Sequence, residues 1–518
     1  MNGTLPPRGH VSQSHRGSIL IVVLVIIAVL SLAAYAFSDL MLSEHLAVDA
    51  SGRGLQARAL ADSGVEATLV YLGQDESTRQ QEGGIYDNAA RFQGAPVIDS
   101  DVAEERGRFS VVAPAVDDDG NLAGVRFGLE DESTRLNLNA LLLAEGTAEN
   151  GGRELLMALP GMTEDVADAI LDWIDEDDEI REFGAELETY SGLSPPYQPK
   201  NGPLETVEEL LLVRGVTPLL LFGADTNRNG LLDDHESGAG VDQSQGSMDR
   251  GWSGYLTLYS METNLREDGS PKIDLMQEDM EELYNQLGEV FPAEWALYIV
   301  ALRQNGKYEP RTTGTPEESE GPATGKLDFE KAGTSPLTSV LDLIGGQVRL
   351  TFKDEEDPSV LPTPFPDGPV ASVVFLPALL DNVAVNAAPV IPGRINVNQA
   401  SRTVLQGVPG MTEEMVERIL GERQEELDDL ESPRRHETWL YSEGIATLDE
   451  MKQILPYVCA GGAVFRAQVV GYFDQRGPAA RIEAVFDASA ATPRLLLWRD
   501  ISHLGRGYPL DMLGVQAP

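Results

Sequence analysis

The run from Ile19 to Phe37 contains nineteen residues and no charge. As a helix rising about 1.5 Å per residue it spans roughly 28 Å, the hydrocarbon thickness of a bilayer, and it exceeds the roughly 7–15 apolar residues of a secretory signal. A spanning helix is therefore predicted. Ala34-Tyr35-Ala36-Phe37 offers only a weak cleavage site before Ser38. Ahead of the run stand Arg8 and Arg16, then Gly17 and Ser18. Basic residues before a span keep the leader in the cytoplasm and export the chain on its far side. Three fates stay open on this ground: removal as a signal, retention as an anchor, or cleavage at the polar edge with the apolar part kept.

Beyond the span, apolar residues recur at helical spacing through Leu42, Leu46, Leu55, Ala59, Leu60, Val65, Leu69 and Leu72, although Gly52, Gly54 and Gly64 weaken the pattern. The spacing predicts one long helix, half in lipid and half packed on a globular head. The exported bulk is strongly acidic: 38 Lys and Arg against 84 Asp and Glu leave a net charge of −46. Such a surface repels nucleic acid and anionic lipid and attracts cations. Cys459 is the only cysteine, so no intramolecular disulfide forms and another device must hold loops in place.

Two strand-like runs, Arg108–Val116 and Gly124–Glu130, flank the turn-rich Asp117–Asn121 and read as a hairpin. A second strand block closes the chain between Ala463 and Asp500. A sheet begun before a long helical insertion and completed after it is the expected topology.

The insertion carries an internal repeat. One copy runs RLNLN (135–139), LPGMTEDVADAILDWI (159–174) and TVEELLLVRGV (206–216); another runs RINVN (394–398), VPGMTEEMVERILGER (408–423) and TLDEMKQILPYV (447–458). A degraded copy lies between them in KIDLM (272–276), EWALYIVALRQ (294–304) and SPLTSVLDLIGG (335–346). In the first two copies Pro-Gly turns the chain and Thr163 or Thr412 is placed to cap the next helix, a helix-hairpin-helix arrangement. Thr206 with Glu209 and Thr447 with Glu450 read as capping boxes opening amphipathic helices. Helix-hairpin-helix units often hold a nucleic-acid phosphate. Acidic residues crowd both turns here, so nucleic acid is an unlikely partner and a structural role is expected.

The strongest metal signal is DTNRNGLLDDHE, which fills the twelve-residue calcium-loop pattern: Asp225, Asn227 and Asn229 at positions 1, 3 and 5, Gly230 at the turn, Leu231 supplying a carbonyl, Asp233 at 9 and Glu236 at 12. Leu232 is the expected inward apolar residue, and the adjoining SGAGVDQSQGSMDRG reads as linker. A single structural calcium with Kd of roughly 0.1–1 mM is predicted. Asp175 and Asp177, in a second acidic stretch, form a candidate second metal pair. Segments 312–325 and 354–369 read as surface loops. No nucleophile, phosphate-loop or zinc motif accompanies the six histidines, so an enzyme is not expected.

In combination, Arg16-Gly17-Ser18 before the apolar run, ALADSGVEA (59–67), RLNLN, DAILDWIDEDDEIREFGAE (168–186), PPYQPKNGPLETVEELLLVRGV (195–216), GYLTLYS (254–260) and RINVNQA (394–400) resemble the minor pseudopilin K family of type II secretion, general secretion pathway protein K. The resemblance covers Arg16 to about Leu220 and Gly254 to Val458, interrupted by an unusually long segment from 265 to 394. It implies an α+β fold: a pilin-like transmembrane stem helix and antiparallel sheet, with a large inserted all-α domain of helix-hairpin-helix (SAM-like) repeats. It implies that prepilin peptidase cuts between Gly17 and Ser18 and methylates the new terminus, leaving an inner-membrane anchor at 19–37 and a periplasmic bulk. Val22 stands at the fifth mature position, where most pseudopilins carry Glu. That absence implies a place at the fibre tip, initiating or capping it, with the I and J subunits, the major pseudopilin and the inner-membrane platform as partners. Calcium is a cofactor of family members. The alternative is a membrane-anchored type IV pilus or DNA-uptake component using the hairpins.

On this reading the chain divides into a leader (1–17), a stem (18–73), a first β segment (74–134), a first helix-hairpin-helix domain (135–224), a calcium loop and linker (225–253), an inserted segment (254–393), a second helix-hairpin-helix domain (394–460) and closing strands (461–518).

Overall fold

The computed structural model describes residues 16–148, 150–236, 246–308, 325–423, 433–475 and 477–515. The leader through residue 15, positions 237–245 of the expected linker and positions 312–324 of the first low-complexity segment lie outside them.

Arg16–Leu72 is one unbroken helix of 57 residues, about 85 Å long at 1.5 Å per residue. Gly17 and Ser18 fall in its first turn. It is long and apolar enough to cross a membrane. Its halves have different surroundings: Ile19, Val22, Leu30, Leu42, Leu46 and Leu55 are exposed, whereas Ala57, Leu60, Ala61, Val65, Tyr71 and Leu72 are buried. The packed half starts near Ala57 because only there does the helix meet the sheet. Gly64 is required there, since a Cβ would lie 2.5 Å from Val469 Cγ1.

The sheet is built from β1 (Ala95–Ile98), β2 (Gly107–Val116), β3 (Leu122–Arg126), β4 (Glu130–Asp131), β5 (Val464–Phe473), β6 (Ala480–Asp487) and β7 (Arg494–Asp500). All pairings are antiparallel, in the order β1-β2-β5-β6-β7, with β3 on β2 and β4 on β5. The first segment thus pairs directly with the last: Val111 faces Val469 across β2 and β5, although more than 300 residues separate them. Phe109, Val111, Val469, Ile482 and Phe486 pack with the stem on one face. On the other face Val112, Val470 and Tyr472 pack with Tyr508 and Leu513 of the C-terminal tail.

The insertion is threefold, not twofold. Each copy is closed by a short parallel pair: Leu136–Asn137 with Leu256–Thr257, Ile273–Asp274 with Val383–Ala384, and Ile395–Asn396 with Val458–Cys459. The opening strands share one turn, in which Asn137, Asp274 and Asn396 accept the N–H two residues on at 3.1, 2.8 and 2.9 Å. Later in each copy an acid reaches back to the N–H three residues before it: Glu209 to Thr206 at 3.0 Å, Asp342 to Ser339 at 3.1 Å, Glu450 to Thr447 at 2.8 Å. The degraded middle copy is therefore a complete module. One apolar core runs through all three, from Leu136 to Val458, so they form a single packed body.

Details depart from expectation. Thr206 opens only the 3-10 turn Val207–Leu212, ended after Val213-Arg214 by Gly215 at φ +87°, and not an amphipathic α-helix. Thr412 caps its helix, accepting from Met415 N at 3.2 Å, whereas the Thr163 side chain makes no cap bond. Met248 and Trp252, within or just beyond the stretch read as linker, are buried. Ser359–Pro362, in a segment read as loop, pairs with Gln347–Leu350.

Ion pairs, some buried and some at the surface, knit the sheet and fasten the insertion to it. Arg466 on β5 binds Glu132 and, at 2.8 Å, Glu483 on β6; Arg499 on β7 binds Glu483 and, at 2.5 Å, Glu208 of the first module. Arg250 pairs with Glu130 at 2.8 Å. At the β2–β3 turn Asp118 and Asp119 receive Arg423 and Arg402 of the third module at 2.6 and 2.7 Å.

Candidate metal loop and acidic pocket

The loop follows the short helix Pro218–Phe222, which Gly223 ends at φ +65°. Its tight turn needs positive φ at Arg228 (+56°) and Gly230 (+72°), the position where the pattern places glycine. Asp225 accepts Asn229 N at 3.1 Å and Gly230 N at 2.8 Å. Asn227 and Asn229 accept the N–H groups two residues on, at 3.0 and 2.8 Å. Glu236 folds back over the loop start, accepting Thr226 N at 2.9 Å and Asp233 N at 3.1 Å. Asn227 Nδ2 donates to Asp233 Oδ2 at 2.7 Å. Side chains of positions 1, 3, 5, 9 and 12 are thereby drawn together.

Asp225 and Glu236 are buried at 4% and 3% exposure. Ligand atoms of Asp233, His235 and Glu236 lie within 4.8 Å of one another. Burial raises the Asp225 carboxyl above the ordinary range, opposed by the Gly230 and Asn229 N–H groups. Converging buried carboxylates are costly without a counter-charge. An all-oxygen donor set of carboxylates, amides and a carbonyl is that of a hard cation, and fits calcium.

Leu231, not Leu232, packs inward: it lies under the sheet with Tyr508 and Val112, while Leu232 is 40% exposed. The loop is also tied to the sheet. Asn229 Nδ2 donates to Gly507 O at 2.8 Å, Gln468 Nε2 on β5 to Arg228 O at 2.5 Å, and Arg481 on β6 to Asn227 O. Nothing in the local pattern announces these ties, because their partners lie over 200 residues away.

The second acidic stretch splits. Asp177 is exposed and accepts Glu179 N at 2.8 Å, turning from Asp175. Asp175 is buried and paired with Arg181, which also binds Asp172 at 2.8 Å. Glu186 also stands near Asp175, and Asn201 binds the Asp177-Asp178 side of the stretch. Glu186 is 5% exposed, and neither of its carboxylate oxygens has a hydrogen-bond partner; Asp175 Oδ1 and Asn201 Oδ1 are also unpartnered. Burial, with Asp172, Asp175 and Asp178 nearby, pushes the Glu186 carboxyl up to about 7. Asn201 holds Asp177 O at 2.7 Å and Asp178 Oδ1 at 3.0 Å, with φ at +43°. The turn dipeptide Asn201-Gly202 amid acids was the available sequence signal for Asn201; Glu186 had none.

Both hairpin turns of the first and third modules present exposed acids, Glu164 and Asp165 or Glu413 and Glu414, where a phosphate would sit. Cys459 is buried, and burial raises its thiol well above the usual range.

The fold thus defines a class of mixed α and β proteins in which one long apolar N-terminal helix, able by length and composition to cross a membrane, packs on an antiparallel sheet with a helical body spliced into it. Residues 134–222 match the family model of the type II secretion system (T2SS), protein K. That stretch of the chain is similar to type II secretion protein K. A solved structure described as the GspK-GspI-GspJ complex from the enterotoxigenic Escherichia coli type 2 secretion system is similar over 88% of this chain and 99% of that one, at 12% identity and TM-score 0.38. A search of curated proteins gives no match.

Proposed function

We propose that this protein is a minor pseudopilin of type II secretion and occupies the tip of the pseudopilus, where it initiates or caps the fibre for protein export across the outer membrane. Val22 carries the proposal. An acid among apolar stem helices needs a partner, and a tip subunit has no neighbour above to supply an amino terminus; here the fifth residue after Gly17 is aliphatic. The I and J minor pseudopilins are its neighbours, above the major pseudopilin and the inner-membrane platform. Prepilin peptidase cleaves between Gly17 and Ser18. The stem stays in the inner membrane through residues 19–37, with the bulk in the periplasm. The module hairpins are helix-hairpin-helix (SAM-like) units that serve packing, and no catalysis is assigned.

Calcium is the proposed cofactor. Asp225, Asn227, Asn229, Leu231 O, Asp233 and Glu236 would hold one ion, which neutralises the loop and stiffens the join between insertion and sheet. Asp175, Glu186 and Asn201 would hold a second, replacing the Asp175–Asp177 pair.

Intact mass and amino-terminal sequencing of the protein from membranes containing the peptidase test the processing. A chain starting at methylated Ser18 is expected. A start at Met1 or near Ser38 overturns the proposed assembly route.

A further inference from the structure

A cleft of about 220 Å³ opens between the first and third modules. It is smaller than the roughly 300–1,000 Å³ of small-molecule pockets, and so suits a side chain or two. None of its lining residues is charged, in a chain whose net charge is −46. A neutral occupant is selected, because a charged one would be desolvated there without a partner.

Three features specify the occupant further. Leu143 stands at the rim 59% exposed, with Leu141 and Ile391 also lining the cleft. Tyr457 is 6% exposed, yet its hydroxyl lacks a hydrogen-bond partner of acceptable geometry. The Thr147 hydroxyl beside it donates its own hydrogen to Leu143 O at 3.0 Å. The wall residues Ile391 and Pro392 belong to the strand Val390–Pro392, which among the described residues pairs only with Met261–Thr263. Bonds from Asn264 N to Pro389 O at 2.8 Å and from Gly393 N to Ser260 O at 3.2 Å fix the alternation. Val390 N–H and C=O therefore face away, leaving an open strand edge.

We propose that this cleft is the docking site for an extended, uncharged apolar segment of a partner protein. The segment adds a strand along Val390–Pro392, seats an aliphatic side chain against Leu141, Leu143 and Ile391, and offers a carbonyl oxygen to the Tyr457 hydroxyl. Backbone pairing supplies affinity and the cleft supplies selectivity.

The test uses the full chain in lipid nanodiscs and a fluorescent peptide, acetyl-Gly-Val-Leu-Val-Gly-amide, with acetyl-Gly-Asp-Leu-Asp-Gly-amide as comparison. Saturable binding of the neutral peptide alone is expected. Leu143→Glu, an exposed position that leaves the fold intact, should weaken it at least about tenfold by placing a charge at the rim. Tyr457→Phe should weaken it about two- to tenfold, the worth of one neutral hydrogen bond. Absence of saturable binding, equal binding of the acidic peptide, or binding indifferent to Leu143→Glu overturns the proposal. So does uptake of octanoyl chains in place of the peptide.

Discussion

The backbone of Gly471, in the central strand β5, lies against Ala57 of the stem helix: a Cβ on Gly471 would come within 2.2 Å of the Ala57 carbonyl oxygen. The stem and sheet meet there without an intervening side chain. Gly471→Ala must push the helix off the sheet, and overpacking of this kind costs about 1–3 kcal/mol. The expected result is faster amide exchange over residues 57–72 and a lowered unfolding midpoint. Exchange unchanged from the parent would show that the helix is not held by this contact.

The ion pairs that Glu483 makes across β5, β6 and β7 carry a pH prediction. Burial alone would raise the Glu483 carboxyl, but Arg466 and Arg499 overcome it and hold it at about 2. A carboxyl depressed in the folded state adds stability above its unfolded value of 4.5, and that stability is lost as pH falls toward 2. The sheet should therefore loosen across β5, β6 and β7 between roughly pH 4.5 and 2, monitored by exchange at β6 and β7. Glu483→Gln should flatten that dependence.

Glu132 is fully buried and bound by Arg466. Removing Glu132 takes one of two counter-charges from each of Arg466 and the buried Arg135, which keep Glu483 and Glu130, at a cost toward the lower end of the roughly 3–5 kcal/mol of a broken buried pair. Glu132→Ala is expected to lower stability by that order in denaturant titration, whereas Asp177→Ala, at an exposed site, should be nearly neutral.

Calcium at ten times its dissociation constant should raise stability by about 1.4 kcal/mol per site through mass action. Isothermal titration should find two sites. Asp225→Ala should remove one and Glu186→Gln the other. Glu186→Gln should also stabilise the metal-free chain, because it removes a buried, unpartnered carboxylate. Two sites surviving both substitutions would rule out these ligand sets.

Val22→Glu supplies an acid at the fifth mature position. If its absence confines the subunit to the tip, the variant should copurify with the major pseudopilin in higher ratio than the parent, measured by quantitative mass spectrometry of sheared fibres. An unchanged ratio would remove Val22 as the determinant of position.

The apolar run at 19–37, the two strand blocks, the repeated Asn-containing openings and the glycine at position 230 were legible because each expresses a local rule: length against bilayer thickness, alternation, or a backbone angle. The family resemblance rested on such stretches. What only the tertiary structure decided was partnership at long separation. It placed Val111 beside Val469, Glu186 near Asp175, the loop at 225–236 against Gly507, and the strand Val390–Pro392 beside Tyr457. It also restored the middle module, whose degraded sequence keeps a side-chain acceptor at Asp274 and the hydrogen-bonding acid at Asp342 while losing the residues that made the other copies recognisable. Turns and helix starts need only their own few residues. Buried ion pairs and unpartnered carboxylates are set by which distant segments the shared core brings into contact, and no spacing along the chain encodes that.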